Sequence, residues 1–107
     1  MNILDYILND FSPLTTQSTV REALKLCETF PITHIPVVDN ALYVGSISQT
    51  DVLTIENKDE LLKDSLEILN HFQTNNNESL LELLKIFADN ETNILPVITN
   101  QEYLGYI

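Results

Sequence analysis

The side chains able to do chemistry are few and scattered. Ser48 and Asp51 stand three apart in Ser48-Gln49-Thr50-Asp51. A hydroxyl or carboxylate at the start of a helix accepts hydrogen bonds from its first free N–H groups, so the pair reads most simply as a helix cap. His34 and His71 are the two histidines. Neither has a cysteine or carboxylate at metal-ligand spacing, which argues against a zinc site. Cys27, the single cysteine, follows Val20, Ala23 and Leu24 at helical spacing and reads as an inert thiol on an apolar face. The 16 acidic residues contain no pair whose context separates an acid from a base. No nucleophile elbow, phosphate-binding glycine loop or dinucleotide fingerprint occurs. The expectation is a non-enzymatic chain with no metal and no required cofactor.

Charge narrows the partners. Five basic residues against 16 acidic ones give a net charge of −11. Such a chain repels nucleic-acid backbones and acidic lipid surfaces. Its field also disfavours a free triphosphate, and favours a monophosphate, a metal-bound nucleotide or a cationic ligand. No apolar run approaches the roughly 20 residues of a membrane span. The acidic start, Met1 to Asp5, lacks the basic flank of a signal peptide. With one cysteine and no internal disulfide, a reducing cytoplasm is expected. Without a secretion signal, the glycosylation patterns at Asn77 and Asn90 carry little weight.

The elements that must position these residues come in two copies. Residues 18–47 align without a gap on 78–107, at an offset of 60, and nine of the thirty pairs are identical. These are Glu22/Glu82, Leu24/Leu84, Lys25/Lys85, Pro36/Pro96, Val37/Val97, Asn40/Asn100, Tyr43/Tyr103, Gly45/Gly105 and Ile47/Ile107. A fixed period of this size decides the architecture. At 107 residues and 44% apolar, the chain suits one compact domain or two half-size units sharing a core. Any site between the units has pseudo-twofold symmetry.

Each unit reads as helix, strand, turn, strand. Thr19-x-x-Glu22 and Ser79-x-x-Glu82 are capping boxes. Val20, Ala23, Leu24 and Cys27, like Leu80, Leu83, Leu84 and Phe87, make one buried helix face each. Pro31 and Asp89-Asn90 end the helices. The runs at Ile35–Val38 and Ile94–Ile98 lead through Asp39-Asn40-Ala41 and Thr99-Asn100-Gln101 into second apolar runs, a hairpin signature. The only two glycines, Gly45 and Gly105, share one repeat position inside a strand and predict a bulge or a close approach. Three segments follow: 1–56, the first repeat with its N-terminal segment; 57–73, a polar, partly helical connector with a solvated acidic face; and 74–107, the second repeat. The second repeat stops inside its last strand, so the sequence leads one to expect a fragment of a longer chain.

The ordered combination of helix, apolar-Pro-Val strand, turn and apolar-Gly strand, used twice and followed in the first copy by Ser48-x-x-Asp51, resembles a tandem pair of CBS domains over residues 11–107. Within that family it is most similar to the small acetoin-utilisation-like bacterial proteins. The resemblance implies an α+β fold (mixed α/β): two β-α-β-β-α repeats packed through their sheets as a pseudo-twofold pair. It implies a homodimer, no catalysis, and binding of AMP, ADP, ATP or S-adenosylmethionine between the repeats. By family position, Asp51 would accept the ribose hydroxyls and Ser48 would meet the phosphate. The adenine would lie against Thr92, Asn93 and Ile94, with Thr74 near the opening of that repeat. Thr16, Thr33 and His34 would form a second half-site whose Ser/Asp half lies beyond Ile107.

His34 aligns with Ile94, which favours a packing role for it, and Tyr43 and Tyr103 read as hairpin packing. Two other readings stand beside the sensor. One is a ligand-free module for dimerisation or contact with a missing C-terminal domain, favoured by the scarcity of basic residues. The other is a regulatory piece of an enzyme whose catalytic domain is not in this sequence.

Overall fold

A computed structural model describes residues 3–107. Met1 and Asn2, where the acidic N-terminal stretch begins, lie outside the described residues. The elements run β1 (Leu14–Thr15), α1 (Val20–Thr29), β2 (His34–Asp39), β3 (Leu42–Ser48), α2 (Gln49–Thr54), α3 (Leu80–Asp89), β4 (Pro96–Thr99) and β5 (Glu102–Tyr106). Short 3-10 helices cover Ile3–Tyr6 and Leu62–Ile68. The strands form one mixed sheet in the order β1-β2-β3-β5-β4.

Local chemistry sets each boundary. Thr19 Oγ1 accepts from the Glu22 N–H at 3.2 Å, and Ser79 Oγ from the Glu82 N–H at 3.2 Å. These caps start α1 and α3, and each leaves a glutamate in the first turn, where the helix dipole favours it. Helix α1 ends at Thr29, two residues before Pro31. The hairpin turns are tighter than the three polar residues suggest. Asn40-Ala41 and Asn100-Gln101 adopt φ of 50° and 70°, and of 52° and 69°. Two residues with positive φ make the hairpin turn whose twist matches that of the flanking strands. Both hairpins carry the expected bulge: Val37 faces Gly45 while Val38 faces Tyr43, and Val97 faces Gly105 while Ile98 faces Tyr103.

The hairpins meet at their tips. Leu42 pairs with Glu102 across the β3–β5 junction. The Tyr43 N–H donates to the Gln101 carbonyl at 2.9 Å, and the Tyr103 N–H to the Ala41 carbonyl at 3.0 Å. All these partners are related by the offset of 60, so a pseudo-twofold axis passes through the junction. The segments that precede the repeats are exchanged across it. Leu8 pairs with Tyr106 of β5, and Ile3 is buried with Leu83, Leu95 and Val97 of the second repeat. Asn70 pairs instead with Ser46 of β3, and Leu62 and Leu69 enter the core of the first.

One sequence expectation fails here. The apolar face of α3 is not buried along its length: Leu83 is covered, but Leu80 and Leu84 are 58% and 57% exposed. On α1 the matching Val20 is fully buried. The cause is the connector. It lies along the start of α1, where the Val20 N–H donates to Glu60 O and the Arg21 N–H to Lys58 O. Helix α3 has no such cover among the described residues. The connector is also less solvated than its charge suggests, because Leu62 and Ser65 turn inward while its acidic side chains face out.

Candidate functional site

Strand register builds the site. On the antiparallel β2–β3 ladder His34 faces Ser48. The Gln49 N–H donates to the Thr33 carbonyl at 2.8 Å. The start of β2 and the start of α2 therefore lie side by side at the end of the hairpin away from its turn. A cleft of about 350 Å³ opens there, lined by Thr33, His34, Ser48, Gln49, Thr50, Asp51, Asn70, Asn90 and Glu91. Both repeats contribute: Asn90 and Glu91 follow the last turn of α3.

Ser48 caps α2, its Oγ accepting from the Asp51 N–H at 3.1 Å. Its own O–H stays available to a ligand. Asp51 is half-buried, and among the described residues its carboxylate takes no hydrogen bond. The far end of α2 is tied down by Lys58, whose Nζ donates to the carbonyls of Val52 at 2.8 Å and Ile55 at 2.6 Å. That lysine is thereby committed to a helix C-terminus, where a cation belongs.

His34 is buried, with its ring edge-on to Phe72 at a centroid distance of 5.0 Å. Its Nδ1 lies 2.9 Å from Thr33 Oγ1. Burial lowers its pKa, and the charge of Asp51 partly opposes that. The packing role expected for His34 is therefore present, and the cleft gains a largely neutral imidazole beside a carboxylate.

The predicted site residues divide differently from the family carry-over. Ser48, Asp51, Thr33 and His34, which the resemblance divides between two half-sites, line one cleft, because the ladder register sets His34 opposite Ser48. Thr92, Asn93 and Ile94 do not line it. Thr92 is buried, with its Oγ1 donating to the Ile94 carbonyl at 2.6 Å, and Ile94 lies in the core. Asn93 is spent on the pseudo-symmetric Thr33. Its Oδ1 accepts from the Thr33 N–H at 2.9 Å, and its Nδ2 donates to the Pro31 carbonyl at 2.7 Å. This joint fastens the repeats behind the cleft.

Thr74 and Thr16 are buried in sheet edges away from the cleft. The Thr74 N–H donates to Pro96 O and the Thr16 N–H to Val38 O. Nor are the two threonines counterparts: Thr74 pairs with Val97 as Leu14 pairs with Val37, so Leu14 is the match for Thr74. Sequence reasoning missed Gln49, Thr50, Asn70, Asn90 and Glu91. The first two lie inside the Ser48-x-x-Asp51 turn itself. Asn90 reads in sequence as a helix stop and a glycosylation pattern, and nothing local marks Asn70 or Glu91 for a cleft.

Cys27 is half-buried, and burial, aided by Glu28, pushes its thiol up from the usual range. It lies outside the cleft and is poorly suited to nucleophilic chemistry. Among the described residues, no helix is long and apolar enough to cross a membrane.

Comparison with known proteins identifies the family and the fold. The family model described as the CBS domain matches residues 5–58, just over half of the chain. Inosine-5'-monophosphate dehydrogenase of Methanocaldococcus jannaschii is 29% identical over 110 residues, covering 94% of this chain and 22% of the relative. The chain thus spans about a fifth of that curated relative. A CBS domain pair/ACT domain protein from Thermotoga maritima superimposes with a TM-score of 0.84 at 19% identity, covering 100% of this chain and 88% of that one. The protein CBSX2, solved in complex with AMP, superimposes with a TM-score of 0.78 at 16% identity, covering 99% and 88%. At these identities the two structures establish the fold.

Proposed function

This chain belongs to the CBS domain family of regulatory modules, and we propose that it holds an adenosine-type ligand in the cleft beside Asp51. The observation that carries the reading is the uncommitted carboxylate. Asp51 is half-buried, its backbone is fixed by the Ser48 cap, and its oxygens are free to accept hydrogen bonds. A carboxylate so placed can take both hydroxyls of a ribose. Thr33 and His34 form the adjoining wall from the first repeat, while Asn90 and Glu91 reach in from the second. The AMP complex of CBSX2, a protein of the same fold, supports this class of ligand.

The candidates are AMP, ADP, ATP and S-adenosylmethionine. A ligand touching both repeats shifts their packing to the extent that it binds one arrangement more tightly than another. The chain is a sensor with no chemistry of its own, working in a reducing cytoplasm as a homodimer or beside a further C-terminal domain. Thermal melts against those four compounds and NAD, with and without magnesium, test the reading. One adenosine compound should raise the midpoint, and a flat panel would sink it.

A ligand-free interaction module is the second reading. Leu80, Leu81 and Leu84 of α3 are 58%, 75% and 57% exposed, which makes one apolar strip. A flat ligand panel together with a dimer by light scattering would favour this second reading.

A further inference from the structure

The cleft carries a carboxylate on each wall. Its first-repeat wall carries Asp51 beside the imidazole of His34. Its second-repeat wall carries Glu91, two residues past the end of α3. The C-terminal end of a helix bears the negative pole of its dipole, and α3 has no basic residue in its last turn to offset it. Glu91 sits at φ 49°, with its N–H held by the Ala88 carbonyl at 3.3 Å. Its carboxylate takes no hydrogen bond or ion pair among the described residues. Among the described residues, no arginine or lysine lines the cleft. Of the five basic residues, Lys58 is spent on the end of α2 and Arg21 is paired with Asp59 at 3.2 Å on the outer surface.

The geometry points to Glu91 as the residue that selects the ligand's charge: the cleft takes an adenosine-type ligand bearing a covalent positive group, and rejects its phosphorylated counterpart. This inference rests on the adenosine reading above and narrows it. Two carboxylates without a counter-charge repel a phosphate dianion and attract an ammonium or sulfonium. Between bulk water and a protein surface, unit charges about 6 Å apart change affinity by about tenfold. Glu91, an exposed carboxylate, adds to Asp51 in setting the order of preference.

The test compares three probes by titration calorimetry: 5'-amino-5'-deoxyadenosine, cationic at neutral pH, adenosine, and AMP with and without magnesium. The amine should bind about tenfold more tightly than adenosine, and AMP about tenfold more weakly. Both gaps should shrink when salt rises from about 50 mM to about 500 mM. Glu91→Gln should bring the amine close to adenosine and relieve the penalty on AMP. Glu102→Gln is the control for net charge. Glu102 pairs with Leu42 at the hairpin tip, about 20 Å from the cleft along the length of β3. It should leave the ratios unchanged. AMP binding as tightly as the amine, with or without magnesium, overturns the inference while leaving the adenosine site standing. So does a ratio that Glu91→Gln and Glu102→Gln move equally. Failure of all three probes to bind the unaltered protein overturns the site itself.

Discussion

Replacing Gly45 by alanine tests how the first repeat is locked to the connector. Gly45 has φ +142°, a region that residues with a side chain rarely enter. An added Cβ would lie 2.8 Å from Leu69 Cβ, 3.0 Å from the Asn70 carbonyl oxygen and 3.3 Å from His71 Cε1. The connector is not free to recoil. Leu69 is in the core, and Asn70 exchanges two backbone hydrogen bonds with Ser46, at 2.7 and 2.8 Å. The forced conformation costs about 1–3 kcal/mol and the overpacking a similar amount. A total of about 3 kcal/mol should lower the melting midpoint by about 10–20 °C for a domain of this size. Circular dichroism melts and urea titration measure it. Because Asn70 lines the cleft, ligand binding should weaken with stability. A loss below about 1 kcal/mol with a native spectrum would refute the claim that this glycine admits the connector.

Two further predictions follow from paired positions and from the buried histidine. Tyr43 and Tyr103 are repeat counterparts, but the Tyr43 hydroxyl donates to the Phe72 carbonyl at 2.9 Å and lies 2.8 Å from Ser46 Oγ, whereas the buried Tyr103 hydroxyl has no partner among the described residues. The second repeat has Tyr106 where the first has Ser46. Tyr43→Phe should cost about 1 kcal/mol and Tyr103→Phe should be neutral or stabilising, and a urea series giving the reverse order would contradict the assignment. Burial pushes the Tyr43 phenol up to about 12 despite its bond to Ser46, and raises Tyr103 further.

For His34 the folded pKa is lowered, chiefly by burial. The unfolded chain therefore takes up this proton first as pH falls through about 6.5. Stability drops through that window and levels off below the folded pKa. His34→Gln should flatten this component between about pH 7.5 and 5.5, and an unchanged slope would show that the histidine contributes nothing to it.

Much of the fold was legible because it rests on local chemistry repeated at a fixed offset. The capping boxes, Pro31, the Asn-containing turns and the two glycines each fix one boundary, and each occurs where the residues require it. The failures are of a different kind. Leu80 and Leu84 carry the same periodicity as Val20 and Leu24, and only the connector, a non-local partner, separates a buried face from an exposed one. Thr92, Asn93, Thr74 and Thr16 do not line the cleft, because their neighbours are set by long-range pairing. Asn93 bonds Thr33 across the axis, and the two threonines lie in sheet edges. The grouping of Thr33 and His34 with Ser48 and Asp51 was within reach of the sequence. A two-residue turn at Asn40-Ala41 and one bulge at Gly45 set His34 opposite Ser48 by counting along the hairpin.

The central claim is that the cleft beside Asp51 binds an adenosine-type ligand, and Asp51→Ala tests it most directly. The substitution leaves the backbone N–H that Ser48 caps, so the fold should persist with an unchanged melt. In the unaltered protein an adenosine compound at about 100 times its dissociation constant should add about 2.7 kcal/mol of stability. The account predicts that this gain disappears in Asp51→Ala. An equal gain in both proteins would place the ligand elsewhere and contradict the account.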